Sequence, residues 1–128
     1  MTILGIGVDL VETARIGQSI GRHGEAFLRR VFTENEIAYC SAMKASAPHY
    51  AARFAAKEAV SKAFGTGIGA QAGWLEIEVR RKASGEPFIA LHGEAAKLAK
   101  RRGVSAIRLS LSHTAHYAVA QVVITGRA

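Results

Sequence analysis

Residues 53–69 read RFAAKEAVSKAFGTGIG. Ala55, Ala59, Val60, Ala63 and Phe64 cover most of the helical circumference of this run. A helix apolar nearly all round has to be wrapped by the rest of its chain. Pro48 supplies a start signal in front of it, and Gly65 stands where helices commonly end. The remaining strip is different. Phe54, Glu58, Ser61, Lys62 and Gly65 lie on or beside one face. Glu58 and Lys62 are four apart and therefore neighbours; taken alone they can be a surface ion pair worth roughly a few tenths of a kcal/mol. The helix then runs into GTGIG, a glycine-rich turn whose backbone can approach a ligand closely. A helix C-terminus is the unfavourable end of the dipole for an anion, so phosphate there needs Lys62, loop amides or a metal.

The flanking segments predict what wraps this helix. Residues 2–9 (TILGIGVD) read as a buried strand ending near Asp9. Residues 12–22 predict a short helix with Ile16 and Ile20 on an apolar stripe and Arg15 and Arg22 on a shared face. A further short helix covers EAFLRRVF. Thr33 and Glu36 form a capping-box pattern ahead of a helix over 34–43. Residues 74–81 alternate, with Leu75, Ile77 and Val79 opposed to Trp74, Glu76, Glu78 and Arg80, as in a half-exposed strand. A turn at Ser84–Gly85 returns the chain through FIALH. A helix between Gly93 and Gly103 carries cations in its last turn, as the macrodipole prefers. Two strands, AIRLSLSH and YAVAQVVI, close the pattern around His113–His116. About five strands and five helices in 128 residues give one α+β domain spanning 1–128.

Composition narrows the function. The net charge of +7 favours a polyanionic partner: nucleic acid, a phosphorylated small molecule or an acidic protein. Aromatic residues are only 7%, and no aromatic-and-basic sheet signature marks an RNA-binding fold. No apolar run is long enough to span a bilayer. The N-terminal MTILGIGVDLVE lacks a basic n-region, against a signal peptide. A single cysteine, Cys40, in an apolar-periodic segment reads as structural and suits a reducing cytoplasm. His113 and His116 have no cysteine or acid beside them and read as turn residues rather than a zinc pair. His23, His49 and His92 read as surface or turn residues, and Trp74 as a packing residue.

Asp9 is the other unusual residue. A carboxylate closing an apolar strand is costly unless it pairs or binds a cation. Asp9 and Glu58, if the fold joins them, make a hard oxygen site suited to Mg²⁺, which is commonly held by one or two carboxylates plus water and substrate phosphates.

GIGVDLVE, followed about fifty residues later by RFAAKEAVSKAFGTGIG and near the C-terminus by SLSHT, resembles the holo-acyl-carrier-protein synthases, the small class of 4′-phosphopantetheinyl transferases. The resemblance spans essentially the whole chain. It implies an antiparallel sheet packed with a long central helix, assembled as a homotrimer with active sites between subunits. It implies transfer of phosphopantetheine from coenzyme A to a serine of apo acyl carrier protein, releasing adenosine 3′,5′-bisphosphate, in support of fatty acid biosynthesis. Carried onto this sequence, it makes Asp9 and Glu58 the Mg²⁺ ligands and Lys62 the contact to the phosphates. Ser61, Gly65 and Thr66 line the nucleotide site, and His113 lies near the adenosine end. Arg15, Arg22, Phe27 and Arg30 receive the acidic carrier protein, where arginine forks suit carboxylates. Glu58 takes the serine proton, directly or through a metal-held water. Two readings compete: a small basic nucleic-acid-binding protein, which leaves Asp9, Glu58 and the GTG turn unexplained, and a purely structural trimeric subunit.

Overall fold

The computed structural model describes residues 1–127. Its centre is α4, Ser46–Phe64, the apolar helix expected from the sequence. Ala51, Ala55, Ala56, Ala59 and Val60 are fully buried on it. The helix begins two residues before Pro48. A proline is tolerated in the first turn because the N–H it lacks has no intrahelical partner there. Gly65 ends the helix at φ 80°, the left-handed conformation that glycine adopts without strain. Behind it the amides of Thr66 and Gly67 fold back onto Ser61 O, each at 3.2 Å.

One side of α4 rests on a three-stranded antiparallel sheet in the order β1 (Thr2–Glu12), β5 (Tyr117–Gly126), β4 (Val104–His113). β1 runs three residues past Asp9, because it stays paired with β5 as far as Glu12 opposite Tyr117. Asp9 therefore sits within the strand rather than at its end. Strand alternation puts Gly5, Gly7 and Asp9 on the face towards α4. A Cβ on Gly5 would collide with Ala63 O, and one on Gly7 with Ala59 O. Missing side chains on the strand and alanines on the helix let the two backbones nearly touch. Asp9 is then delivered next to the polar strip of α4.

The other side of α4 is covered by α1 (Thr13–His23), α2 (Glu25–Val31) and α3 (Glu34–Ser41). Ile16, Val31, Phe32, Cys40 and Tyr50 pack there as a second apolar cluster. The Thr33 and Glu36 capping box forms as the pattern predicted. Beyond α4 the chain makes a 3-10 turn over Trp74–Glu76 and then the hairpin β2 (Ile77–Arg81) and β3 (Pro87–Leu91). The strand expected over 74–81 thus starts three residues late. Leu75 is exposed, and Glu78 is buried rather than facing water. α5 (Gly93–Arg101) completes the domain. Arg102, just after it, donates to Phe64 O at the C-terminus of α4. No helix among the described residues is long and apolar enough to cross a membrane.

Candidate active site

Asp9 and Glu58 line one cavity of about 540 Å³, together with Arg15, Ile16, Phe27, Phe54 and Tyr117. β1 supplies the first acid, α4 the second, and the α1–α2 corner supplies Arg15 and Phe27. Burial, and then the Asp9 carboxylate, push the Glu58 carboxyl above its ordinary range, while Lys62 pulls it back. Lys62 does not pair with Glu58 as its i,i+4 spacing suggests. Its ammonium sits 2.9 Å from Asp9 Oδ1 and 3.2 Å from Val8 O, reaching across to the strand. Half of that side chain is exposed, so the charge remains available to a ligand. Two converging carboxylates are hard oxygen donors that fit Mg²⁺. Among the described residues no third acid, histidine or cysteine joins them. Such an ion would draw its other ligands from water and substrate.

The remaining expected residues fall in several places. Ser61 is buried, and its hydroxyl donates to Glu58 O at 2.7 Å, so it faces the helix rather than the cavity. Gly65 and Thr66 lie at the end of α4, with Thr66 Oγ1 donating to Gly67 O. Arg22 and Arg30 are exposed on α1 and α2, outside the cavity that Arg15 and Phe27 line. His113 is also outside it; its ring lies 5.7 Å from that of His49.

His113 lines a smaller hollow with Leu10, Thr114 and Tyr117; a separate hollow, of about 500 Å³, is lined by Tyr39, Arg53, Arg80 and Arg81 among others. The Arg53 and Arg81 guanidinium carbons stand 4.3 Å and 5.2 Å from the Tyr39 ring centre. Arg53 is buried; it donates to His49 O at 3.3 Å, and its Nε has no partner. Burial, Arg53, His113 and Arg81 all push His49 below the ordinary histidine range, which marks a locally positive field. Sequence reasoning missed this cluster. Its members come from α3, α4 and β2, and none carries a local signature.

A model of the 4′-phosphopantetheinyl transferase superfamily matches residues 5–122. The chain belongs to that superfamily. Its named relatives are more particular. A holo-[acyl-carrier-protein] synthase of Koribacter versatilis (strain Ellin345) is 48% identical over 122 residues, covering 95% of this chain and 98% of the relative. The crystal structure of holo-[acyl-carrier-protein] synthase from Neisseria meningitidis superposes with a TM-score of 0.91 at 33% identity, over 97% of this chain and 99% of the other. The synthase from Bacillus anthracis str. Ames in complex with CoA (3′,5′-ADP) superposes at 0.82 with 37% identity, over 99% and 100%. Within the superfamily, then, the chain is most similar to holo-[acyl-carrier-protein] synthases.

Proposed function

We propose that this chain transfers the phosphopantetheine arm of coenzyme A to a serine of apo acyl carrier protein. The observation that carries the reading is the meeting of Asp9 and Glu58 at one cavity that Arg15 and Phe27 also line, with the Lys62 ammonium paired to Asp9. An acid pair and an ammonium suit a pyrophosphate; an arginine and an aromatic at the mouth suit an acidic helical partner.

The reaction forms a bond from the carrier serine oxygen to phosphorus and breaks the pyrophosphate P–O bond, releasing adenosine 3′,5′-bisphosphate. The serine must lose a proton as it attacks. Glu58, with its carboxyl held above the usual range, is the base that accepts it. Lys62 neutralises charge gathering on the departing phosphate. Mg²⁺, where held by Asp9 and Glu58, supplies further electrostatic neutralisation of the pyrophosphate.

The arginine hollow takes a second anion. Coenzyme A carries a 3′-phosphate besides its pyrophosphate, and the unpartnered Arg53 Nε is a buried donor awaiting an acceptor. Lys62 pairs with Asp9 at the first cavity, whereas His113 lines a different hollow. A site between subunits accommodates both. Ile3, Ile6, Val8 and Leu10 give the outer face of β1 an exposed apolar row, each more than half exposed. Such a row on a sheet suits a subunit contact, and the assembly we propose is a homotrimer.

The test is the intact mass of an apo acyl carrier protein after incubation with this protein, coenzyme A and Mg²⁺, with and without a chelator. The expected result is a gain of one phosphopantetheine that the chelator abolishes. No gain with several carrier proteins would overturn the reading; a gain that survives chelation would remove the metal.

A further inference from the structure

α4 carries a second lysine that the chemistry above leaves unused. Lys57 immediately precedes Glu58, and its side chain is completely buried. The ammonium pairs with Glu36 Oε1 at 2.8 Å and donates to Trp74 O at 2.8 Å and Ile77 O at 2.6 Å. Its three donors are thereby used up. The other Glu36 oxygen accepts Val79 N at 2.8 Å. One ion pair thus pins the 3-10 turn and the start of β2 to α4. Burying two charges is a poor way to gain stability, since apolar groups of similar volume often serve as well. A pair like this is better explained by the geometry it enforces, and the geometry leads to the site. The Trp74 ring packs on Phe54, with centroids 4.8 Å apart. Phe54 lies one turn before Glu58 and lines the same cavity.

We propose that Lys57 is a positioning residue for the transfer reaction, holding the Trp74 and Ile77 carbonyls to α4 and so fixing the Trp74–Phe54 stack that walls the Glu58 cavity. This rests on reading that cavity as the transfer site. Lys57 touches no reacting atom; it acts through Trp74 and Phe54.

Trp74 is the only tryptophan, so its emission reports the tether directly. Two variants separate positioning from mere stability. Lys57→Met alone leaves the Glu36 carboxylate buried without its cation and should melt well below the wild type. Lys57→Met with Glu36→Gln removes both charges and should recover part of that loss, since the glutamine amide can accept from only one of Thr33 N and Val79 N. In the double variant Trp74 emission should shift to the red and quench more readily with acrylamide, and transfer should stay at least tenfold slower at saturating coenzyme A. Wild-type emission, or transfer within twofold of wild type, in the folded double variant overturns the proposal. Trp74→Leu keeps the backbone carbonyl and removes only the ring. It should slow transfer at near-wild-type melting temperature, and an unchanged rate there also overturns the proposal, even if the double variant does not fold. Wild-type protein that transfers nothing overturns the site reading and this role with it. Unchanged Trp74 emission beside normal wild-type transfer overturns this role alone.

Discussion

The closeness of β1 to α4 sets the distance between the two acids, and one methyl group tests it. In Gly7→Ala the new Cβ falls on the Ala59 carbonyl, 2.9 Å from its carbon and closer still to its oxygen, and 3.0 Å from Ala63 N. Ordinary contact begins near 3.4 Å. The oxygen is the limiting contact, so strand and helix must part by about an ångström or more, and both are backbone, so no side chain can rotate away. Overpacking of this kind costs about 1–3 kcal/mol, or roughly 4–12 °C in a domain of this size. Asp9 lies on the same strand face two residues on. Lys62 reaches Val8 O at 3.2 Å, and a further ångström breaks that bond. Displacement on that scale slows a positioned reaction by roughly tenfold or more. Gly21→Ala, in α1, is the matched control. Nothing lies within 4 Å of its added Cβ, and alanine in a helix is favoured over glycine by about 0.5–1 kcal/mol. Differential scanning calorimetry should show opposite signs for the two substitutions, and only Gly7→Ala should slow transfer. A Gly7→Ala protein that melts and transfers as wild type would refute the steric argument outright.

Glu58→Gln separates function from stability. A carboxyl whose folded pKa is raised opposes folding increasingly as pH climbs from the unfolded to the folded pKa, and fully above the latter. The glutamine variant should therefore melt no lower than wild type at neutral pH while losing transfer; a lower melting temperature would contradict the assigned shift. Arg15→Glu should raise KM for carrier protein roughly tenfold and leave KM for coenzyme A nearly unchanged; equal changes in both would count against docking at α1. Glu78 gives the opposite pH signature. Burial pushes its carboxyl up, but hydrogen bonds from Thr33 and His92 and the charge of Arg80 outweigh that and bring it down to about 2. Its stabilising contribution, on the order of 3 kcal/mol, is present above the unfolded carboxylate pKa and lost as pH falls towards 2. Glu78→Gln should therefore flatten the acid unfolding curve over that window.

The legible parts of the chain were those whose signals are local. The apolar circumference of α4, the Thr33–Glu36 capping box and the Gly65 stop all depend on neighbours in sequence, and all are present in the structure. Asp9 and Glu58 stood out because each is a carboxylate in an apolar setting. What escaped depends on partners far away. Glu78 alternates as an outward residue would, yet it is held inside by Thr33, Asn35, Arg80 and His92, which come from separate stretches. Lys57 in a helix ordinarily extends its ammonium to water. Only its contact with Glu36, a residue already explained by its capping role, shows otherwise. Arg53 lies inside the apolar segment 53–69, but only the fold brings Tyr39 and Arg81 beside it to make a cationic hollow.

α4 is located from its two sides by different forces, and Glu58 lies between them. Towards the sheet the contact is steric: Gly5 and Gly7 leave no side chain to adjust, so the distance from strand to helix has a hard lower limit. Towards the 3-10 turn and β2 it is electrostatic: Lys57 and Glu36 are buried together, and neither can leave without exposing the other to an apolar interior. A steric stop without the ion pair would leave the helix free to move away from the sheet. An ion pair without the stop would leave Asp9 at no fixed distance. With both, the carboxylate one residue after Lys57 has little freedom relative to the acid two residues after Gly7. Rigid support of that kind is what a phosphoryl-transfer site needs when placement and charge do most of the catalytic work.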